Sequence, residues 1–355
     1  MNPARRAWLL AGLAAWARAD ARAAIALPRD FGAHPDTRTE WWYATGWLEA
    51  PDGGPPYGFQ LTFFRSRTAV APDHPSRFAA HQLLFAHAAL TDLRRGHLRH
   101  DERIARAGFG IAEASSTDTD VRLRGWRLVR QGPVGLHAYE ARIDAHAAGF
   151  ALDLRLQATQ PVLLQGEAGW SRKGPRPEQV SGYLSEPQLA VSGRLRLDGQ
   201  DRAVRGTAWL DHEWSDALLD AEAIGWDWIG INLADGGALT AFQLRRRDGT
   251  PLWAGGSHRP RGGAVRTFAP EEVRFTPLAH WTSPATTARY PVRWRVDTPY
   301  GACEARARLA AQEIDARRST GTVYWEGLSE LHAAGGTALG RGYLEMTGYA
   351  AALRL

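Results

Sequence analysis

Three ionisable side chains stand in a row at Asp211, His212 and Glu213, with Trp209 and Trp214 on either side. A second group, Trp226-Asp227-Trp228, follows shortly after. Carboxyls and an imidazole crowded among indoles are costly to bury unless they are paired. Such a cluster is therefore either a reactive site or a polar network that pins strands together. As a site, its chemistry is acid–base work on an apolar substrate. A carboxyl desolvated by tryptophans has a raised pKa and keeps its proton near neutrality. It can deliver that proton to an alkene, whose carbocation is attracted to aromatic faces. A neutral histidine can then deprotonate the attacking water. Hydration or isomerisation of this kind calls for no cofactor. Asp211, His212, Glu213 and Asp227 are the candidate catalytic residues, and Trp214, Trp226 and Trp228 are candidate walls for the substrate.

Strand geometry divides this cluster. Alternate side chains of a strand point to opposite faces. In a strand over Gly206–Trp214, His212 and Trp214 share one face, while Trp209, Asp211 and Glu213 share the other. Trp226 and Trp228 share a face, with Asp227 opposite. Either His212 with its tryptophans lines a pocket, or the two acids do, unless a bulge at Glu213 breaks the alternation. Three more segments set an acid beside large rings: Glu40-Trp41-Trp42-Tyr43, Tyr324-Trp325-Glu326-Gly327 and the run from Tyr343 through Glu345 to Tyr349. Trp42, Tyr43, Tyr324 and Glu326 join the candidate substrate-binding set. The alternative is that the Tyr and Trp groups bond these acids as closures of a barrel.

The elements that must hold these residues read as strands. Glu40–Glu49 and Tyr57–Arg65 flank a Pro/Gly turn, and Ala80–Leu90 with Asp92–Arg103 form another pair. Val121–Arg130, Leu136–Ala145 and Phe150–Gln157 follow, then a Gly-, Arg- and Pro-rich loop over 165–180. Tyr183–Leu197 leads to an Asp198-Gly199 turn. The second half repeats the habit over Gly206–Trp214, Gly225–Leu233, Ala238–Arg246, Tyr290–Asp297, Glu304–Leu309, Gly321–Glu330 and Gly342–Leu355. Helical signal is scarce. The fold class expected is all-β, with two consecutive antiparallel barrel or sandwich domains. Their expected bounds are 24–200 and 201–355, which suits a chain of 355 residues.

Other chemistries fare worse. Asp, His and Glu in a row are poorly spaced for three ligands to one metal ion, because a strand splits them, and nothing marks His81 or His87 as remote partners. There is no G-x-S-x-G elbow and no phosphate- or dinucleotide-binding glycine fingerprint in a suitable context. Cys303 is the single cysteine, which excludes an intramolecular disulfide. The net charge of +5 comes from dispersed arginines, with Lys173 the single lysine, and points to surface rather than to nucleic acid. Arg5-Arg6, an apolar run over Ala7–Ala17 and two A-x-A sites read as a secretory signal over residues 1–23. The expected location is periplasmic or secreted.

The segments EWWYATGWLE, GFQLTFFR, FAHAALTDL, GTAWLDHEW, GWDWIGINL, YPVRW, YWEG and GYLEMTGY occur in this order. Together they resemble the AttH and hydroxyneurosporene synthase (carotenoid 1,2-hydratase) family, over nearly all of the chain after the signal. The resemblance implies two lipocalin-like β-barrel domains and a bacterial, often exported protein. In the hydratases a His-x-Trp pair is implicated, matched here by His212 and Trp214. They also use a Tyr and an Asp on a following strand. The counterpart here, Leu239-Thr240-Ala241-Phe242-Gln243, has no carboxylate, which places the chain on the AttH side. The function this implies is cofactor-independent hydration, isomerisation or lyase chemistry on an isoprenoid-like or lipid substrate. The alternative is a periplasmic carrier of a hydrophobic ligand working beside a membrane transporter.

Overall fold

The structure is a computed structural model that describes residues 22–353. All but the last two residues of the expected signal lie outside the described residues. The chain folds into two curled antiparallel sheets of barrel or half-barrel shape, with no α-helix among the described residues, as a lipocalin-like two-domain fold requires. The first sheet has 13 strands and the second 10.

Each sheet wraps its own apolar core. The first is filled by Trp42, Phe59, Phe63, Trp126, Leu152 and their neighbours, and the second by Ile229, Ile231, Trp294, Val296, Trp325 and Leu344. The strands alternate as sequence periodicity requires, one set of side chains entering the core and the other facing outward. In an ordinary barrel the outward set would be polar. Here Tyr43, Trp47, Trp209, Trp228, Phe242, Leu328 and Tyr343 are outward yet buried, because the outer faces of the two sheets pack against each other.

Two details fix this contact. Gly58, on strand Tyr57–Arg67, lies where a Cβ would stand 2.6 Å from the Tyr343 hydroxyl and 2.9 Å from a Leu328 methyl. Only a missing side chain permits that approach. Trp41 stacks across the junction on Trp226 with ring centroids 6.5 Å apart, and Tyr43 meets Trp228 edge-on at 5.5 Å.

The division between sheets falls between Ser215 and Ala223, not at 200/201. Strand Gln200–Ser215 returns antiparallel on Val180–Leu197 through a two-residue turn, and also pairs with Thr39–Glu49. Asp198 (φ 52°) and Gly199 (φ 78°) both take the left-handed conformation that this hairpin turn demands. The Asp198-Gly199 signal marks a hairpin within one sheet rather than a domain junction. The segment bearing Asp211, His212 and Glu213 thus belongs to the first sheet.

Candidate active site between the two sheets

Register on the first sheet lays two rows of side chains on its outer face. Tyr183 lies opposite Glu213, Glu213 opposite Trp41, Trp41 opposite Phe64 and Phe64 opposite Phe85. One step along the strands, Ser185, Asp211, Tyr43, Thr62 and His87 form the second row. The second sheet answers with Phe242, Trp228, Glu345 and Glu326 in a row across four strands, and with Leu244, Trp226, Thr347 and Tyr324 beside them. Between these faces is a cavity of about 250 Å³ lined by both sheets.

Three of its carboxyls, Glu326, Glu345 and Asp211, have no cation among their partners. Glu326 and Glu345 are cross-strand partners, so their Cβ atoms are roughly 5 Å apart on one face. Burial raises Glu345 to about 7, and burial with the neighbouring Glu345 carboxyl pushes Glu326 well above the carboxylate range. Both lie on the cavity lining, Glu345 part-exposed and Glu326 more deeply buried. The Tyr43 hydroxyl faces Glu326 and is its nearest polar neighbour, but neither its oxygen nor Glu326 Oε1 makes a hydrogen bond of ordinary geometry within the protein.

Asp211 is buried too, and burial raises it to about 7 against the pull of three donors. Ser185 (2.5 Å) and the Trp209 indole (2.7 Å) donate to one oxygen, and the Tyr183 hydroxyl (2.8 Å) to the other. Trp228 Nε1 in turn donates to Tyr183 at 3.2 Å, which ties the two sheets together. Glu213 has a cation: Lys173 Nζ stands 2.9 Å from Oε1, and Ser181 donates to the same oxygen. At the other end His87 is held at both nitrogens, by Tyr324 and by Ser319, at 2.8 Å each. Burial lowers it to about 3, so it is neutral.

The alternation that splits the Asp-His-Glu run is obeyed without a bulge. Asp211, Glu213, Trp226, Trp228, Tyr43, Tyr324 and Glu326 all line the cavity. His212, Trp214 and Trp42 lie on the opposite face of the first sheet. There His212 Nε2 is 2.9 Å from Glu40 Oε1, Trp42 stacks on the imidazole at 4.6 Å, and Trp214 stacks on His34 at 3.7 Å. Burial would raise Glu40, but hydrogen bonds from His212 and His34, with Arg65 beside it, hold it far below the usual range. Burial lowers His212 although Glu40 pulls the other way. The His34, Glu40 and His212 donor atoms lie within 4.8 Å of one another. Their ring-to-carboxylate separations of 2.8 and 2.9 Å are hydrogen-bond lengths, and the Arg65 guanidinium 2.7 Å from the same carboxylate opposes a second cation. This cluster is a polar tie inside the first sheet.

Asp227 occupies a comparable place in the second sheet. It pairs with Arg245 at 2.8 Å and accepts from Gln243 and Tyr349, facing away from the cavity. Burial raises its carboxyl, with Arg245 opposing.

Glu345, Lys173 and Tyr183 line the cavity but were not among the sequence candidates. Glu345 had a usable signal, as an acid in an aromatic run that turns out to pair with Glu326. Lys173 stood out only as the single lysine, in a segment read as loop. Tyr183 carried no signal of its own.

The sequence matches the AttH-like family profile over residues 18–349. A crystal structure of a protein assigned as an AttH from Nitrosomonas europaea is 47% identical, with TM-score 0.85, over 93% of this chain and 98% of that one. Kievitone hydratase from Nectria haematococca shares the fold at 13% identity and TM-score 0.69, over 93% of this chain and 94% of its own. CghA, crystallised with Sch210972, aligns at 13% identity and TM-score 0.50, over 87% and 88%. No curated protein matches the sequence.

Proposed function

The chain belongs to the AttH-like family, and from that premise we propose that its inter-sheet cavity protonates a carbon–carbon double bond of an apolar, isoprenoid-like or lipid substrate. The observation that carries this is the Glu326–Glu345 pair, two facing carboxyls in an aromatic cavity with no cation beside them. Like charges that close cannot both ionise, so the pair holds at least one proton near neutrality.

Glu345 is the acid, since it touches the cavity and its pKa of about 7 suits a proton donor at neutral pH. Its proton goes to one alkene carbon, and the electron pair of the double bond forms the new C–H bond. The cation left on the other carbon faces Trp228, Trp226 and Tyr43, which attract it. Asp211 or the ionised Glu345 takes the proton from water as its oxygen bonds to that cation, giving an alcohol. Loss of a neighbouring C–H proton instead gives an isomerised alkene. The kinship in fold to a hydratase supports this reading.

The test is incubation in D2O with acyclic isoprenoid alkenes, read by mass spectrometry. Deuterium should enter the product and vanish in Glu345→Gln. Undiminished uptake in the Glu326→Gln/Glu345→Gln double variant would contradict the proposal. The cavity's apolar rim of Phe64, Phe85, Leu218, Leu244 and Leu353 favours a second reading, a carrier of a hydrophobic molecule. A bound, chemically unaltered ligand in native mass spectrometry, without deuterium uptake, would select it. The basic and apolar N-terminal run also supports export, testable by fractionating cells that express the full chain.

A further inference from the structure

Lysine is used once among the 43 basic side chains, and that one lysine lines the cavity. Its Nζ stands 2.9 Å from Glu213 Oε1, 4.5 Å from the Tyr183 ring centroid and 4.3 Å from that of Phe242. The side chain is almost fully buried. A buried ion pair is weak evidence for stability, because apolar residues of similar volume often replace it without loss. Here it sits in a cavity where Asp211, Glu326 and Glu345 have no cation among their partners, while Glu40, also on the lining, is paired with Arg65. An ammonium also differs from a guanidinium in kind: it is a compact point charge with three N–H donors, more than the one Glu213 oxygen takes up.

We infer that Lys173 anchors an anionic oxygen head group, so that the cavity takes an amphipathic molecule with an acidic head and an unsaturated apolar body rather than a plain hydrocarbon. This rests on the alkene-protonating reading and names its substrate class. Geometry sets the spacing. Phe242, under the ammonium, is separated from Glu345 by Trp228 alone in the cross-strand row. Two strand spacings put head and proton donor roughly 10 Å apart. The body between them lies along Trp228, with Trp41 and Tyr43 on the facing sheet. Ser181 and Lys173 together hold the Glu213 carboxylate, which keeps it from repelling the incoming head.

The test uses two fluorescent probes with one ring skeleton: 1-anilinonaphthalene-8-sulfonate, which has an anionic head, and N-phenyl-1-naphthylamine, which has none. Both are titrated into the full chain. Wild type should favour the sulfonate by about tenfold, the discrimination expected of a charge-assisted contact. Lys173→Met should abolish that preference and leave the neutral probe's affinity within about threefold, and Lys173→Arg should restore part of it. The Lys173→Met/Glu213→Gln double variant removes both charges together and should behave as Lys173→Met does. Neutral binding with no sulfonate preference, or a preference that survives in Lys173→Met and in the double variant, overturns the inference and leaves the alkene reading standing. Failure of both probes to bind wild type counts against both.

Discussion

Glu326 and Glu345 face each other across adjacent antiparallel strands, both turned toward the junction between the two sheets. Most proteins avoid such a pair, since two carboxylates opposite one another repel. Here burial and their mutual repulsion favour the protonated form, and that gives the pair a pH signature.

The Glu345 contribution to stability should fall as pH rises through this region, opposite in sign to the contributions of His87 and His212, whose pKa values burial lowers. Glu345 is raised from 4.5 to about 7, so between those values the folded state binds the proton and the unfolded state releases it. Stability contributed by the protonated form is therefore complete below about 4.5 and lost by about 7. The span corresponds to about 3 kcal/mol at most. Glu345→Gln cannot lose a proton while His87 and His212 still titrate, so its melting temperature should gain on that of wild type as pH rises from about 4.5 to about 7. Thermal melts across pH check this. A wild-type slope unchanged in the variant would count against the protonated pair.

Tyr43→Phe should be close to neutral for stability. The Tyr43 oxygen makes no hydrogen bond of ordinary geometry within the protein, so its removal leaves no donor or acceptor stranded. Urea denaturation should place the variant within about 0.5 kcal/mol of wild type. Turnover should drop, because the hydroxyl faces both Glu326 and the reacting bond. A large stability loss would mean that the hydroxyl bonds within the protein.

Glu40→Ala should behave in the opposite way. It removes the acceptor for Arg65, His34 and His212 together and leaves a buried guanidinium uncompensated. A destabilisation of about 3–5 kcal/mol is expected in chemical denaturation. His212→Ala should also destabilise, while the folded fraction keeps its affinity for N-phenyl-1-naphthylamine. If His212→Ala instead stayed as stable as wild type and lost only turnover, His212 would belong to the reaction and not to the scaffold.

Gly58→Val tests the junction itself. The added branch would meet Tyr343 and Leu328 inside contact distance, and neither can retreat from a buried position. Overpacking of this kind costs about 1–3 kcal/mol. Probe binding should weaken as the outer faces are forced apart. Unchanged binding and stability would mean that the sheets are not in register as described.

The sequence was informative wherever the argument was local. The strand period separated Asp211 and Glu213 from His212 and Trp214, and the structure keeps them on opposite faces. The turn signal at Asp198-Gly199 is a hairpin, but pattern alone does not say which sheet a hairpin joins, and strand Gln200–Ser215 pairs within the first sheet. The cavity was hidden for a different reason. It is built from outer faces, so its polar residues sit where an isolated barrel would show solvent-facing positions. Lys173, Tyr183 and Glu345 reach it from segments up to 172 residues apart (Lys173 to Glu345), and only sheet packing brings them together. Asp227 was drawn toward the site by Trp226 and Trp228, yet its own alternation turns it inward to Arg245.

The most direct measurement is the protonation of Glu345 itself, followed by the carboxylic-acid C=O stretch in infrared difference spectra between wild type and Glu345→Gln across pH. The account predicts a protonated-acid band in wild type at neutral pH, absent from the variant, that titrates near 7. A Glu345 band that has already disappeared at the ordinary carboxylate value of about 4.5 would contradict it.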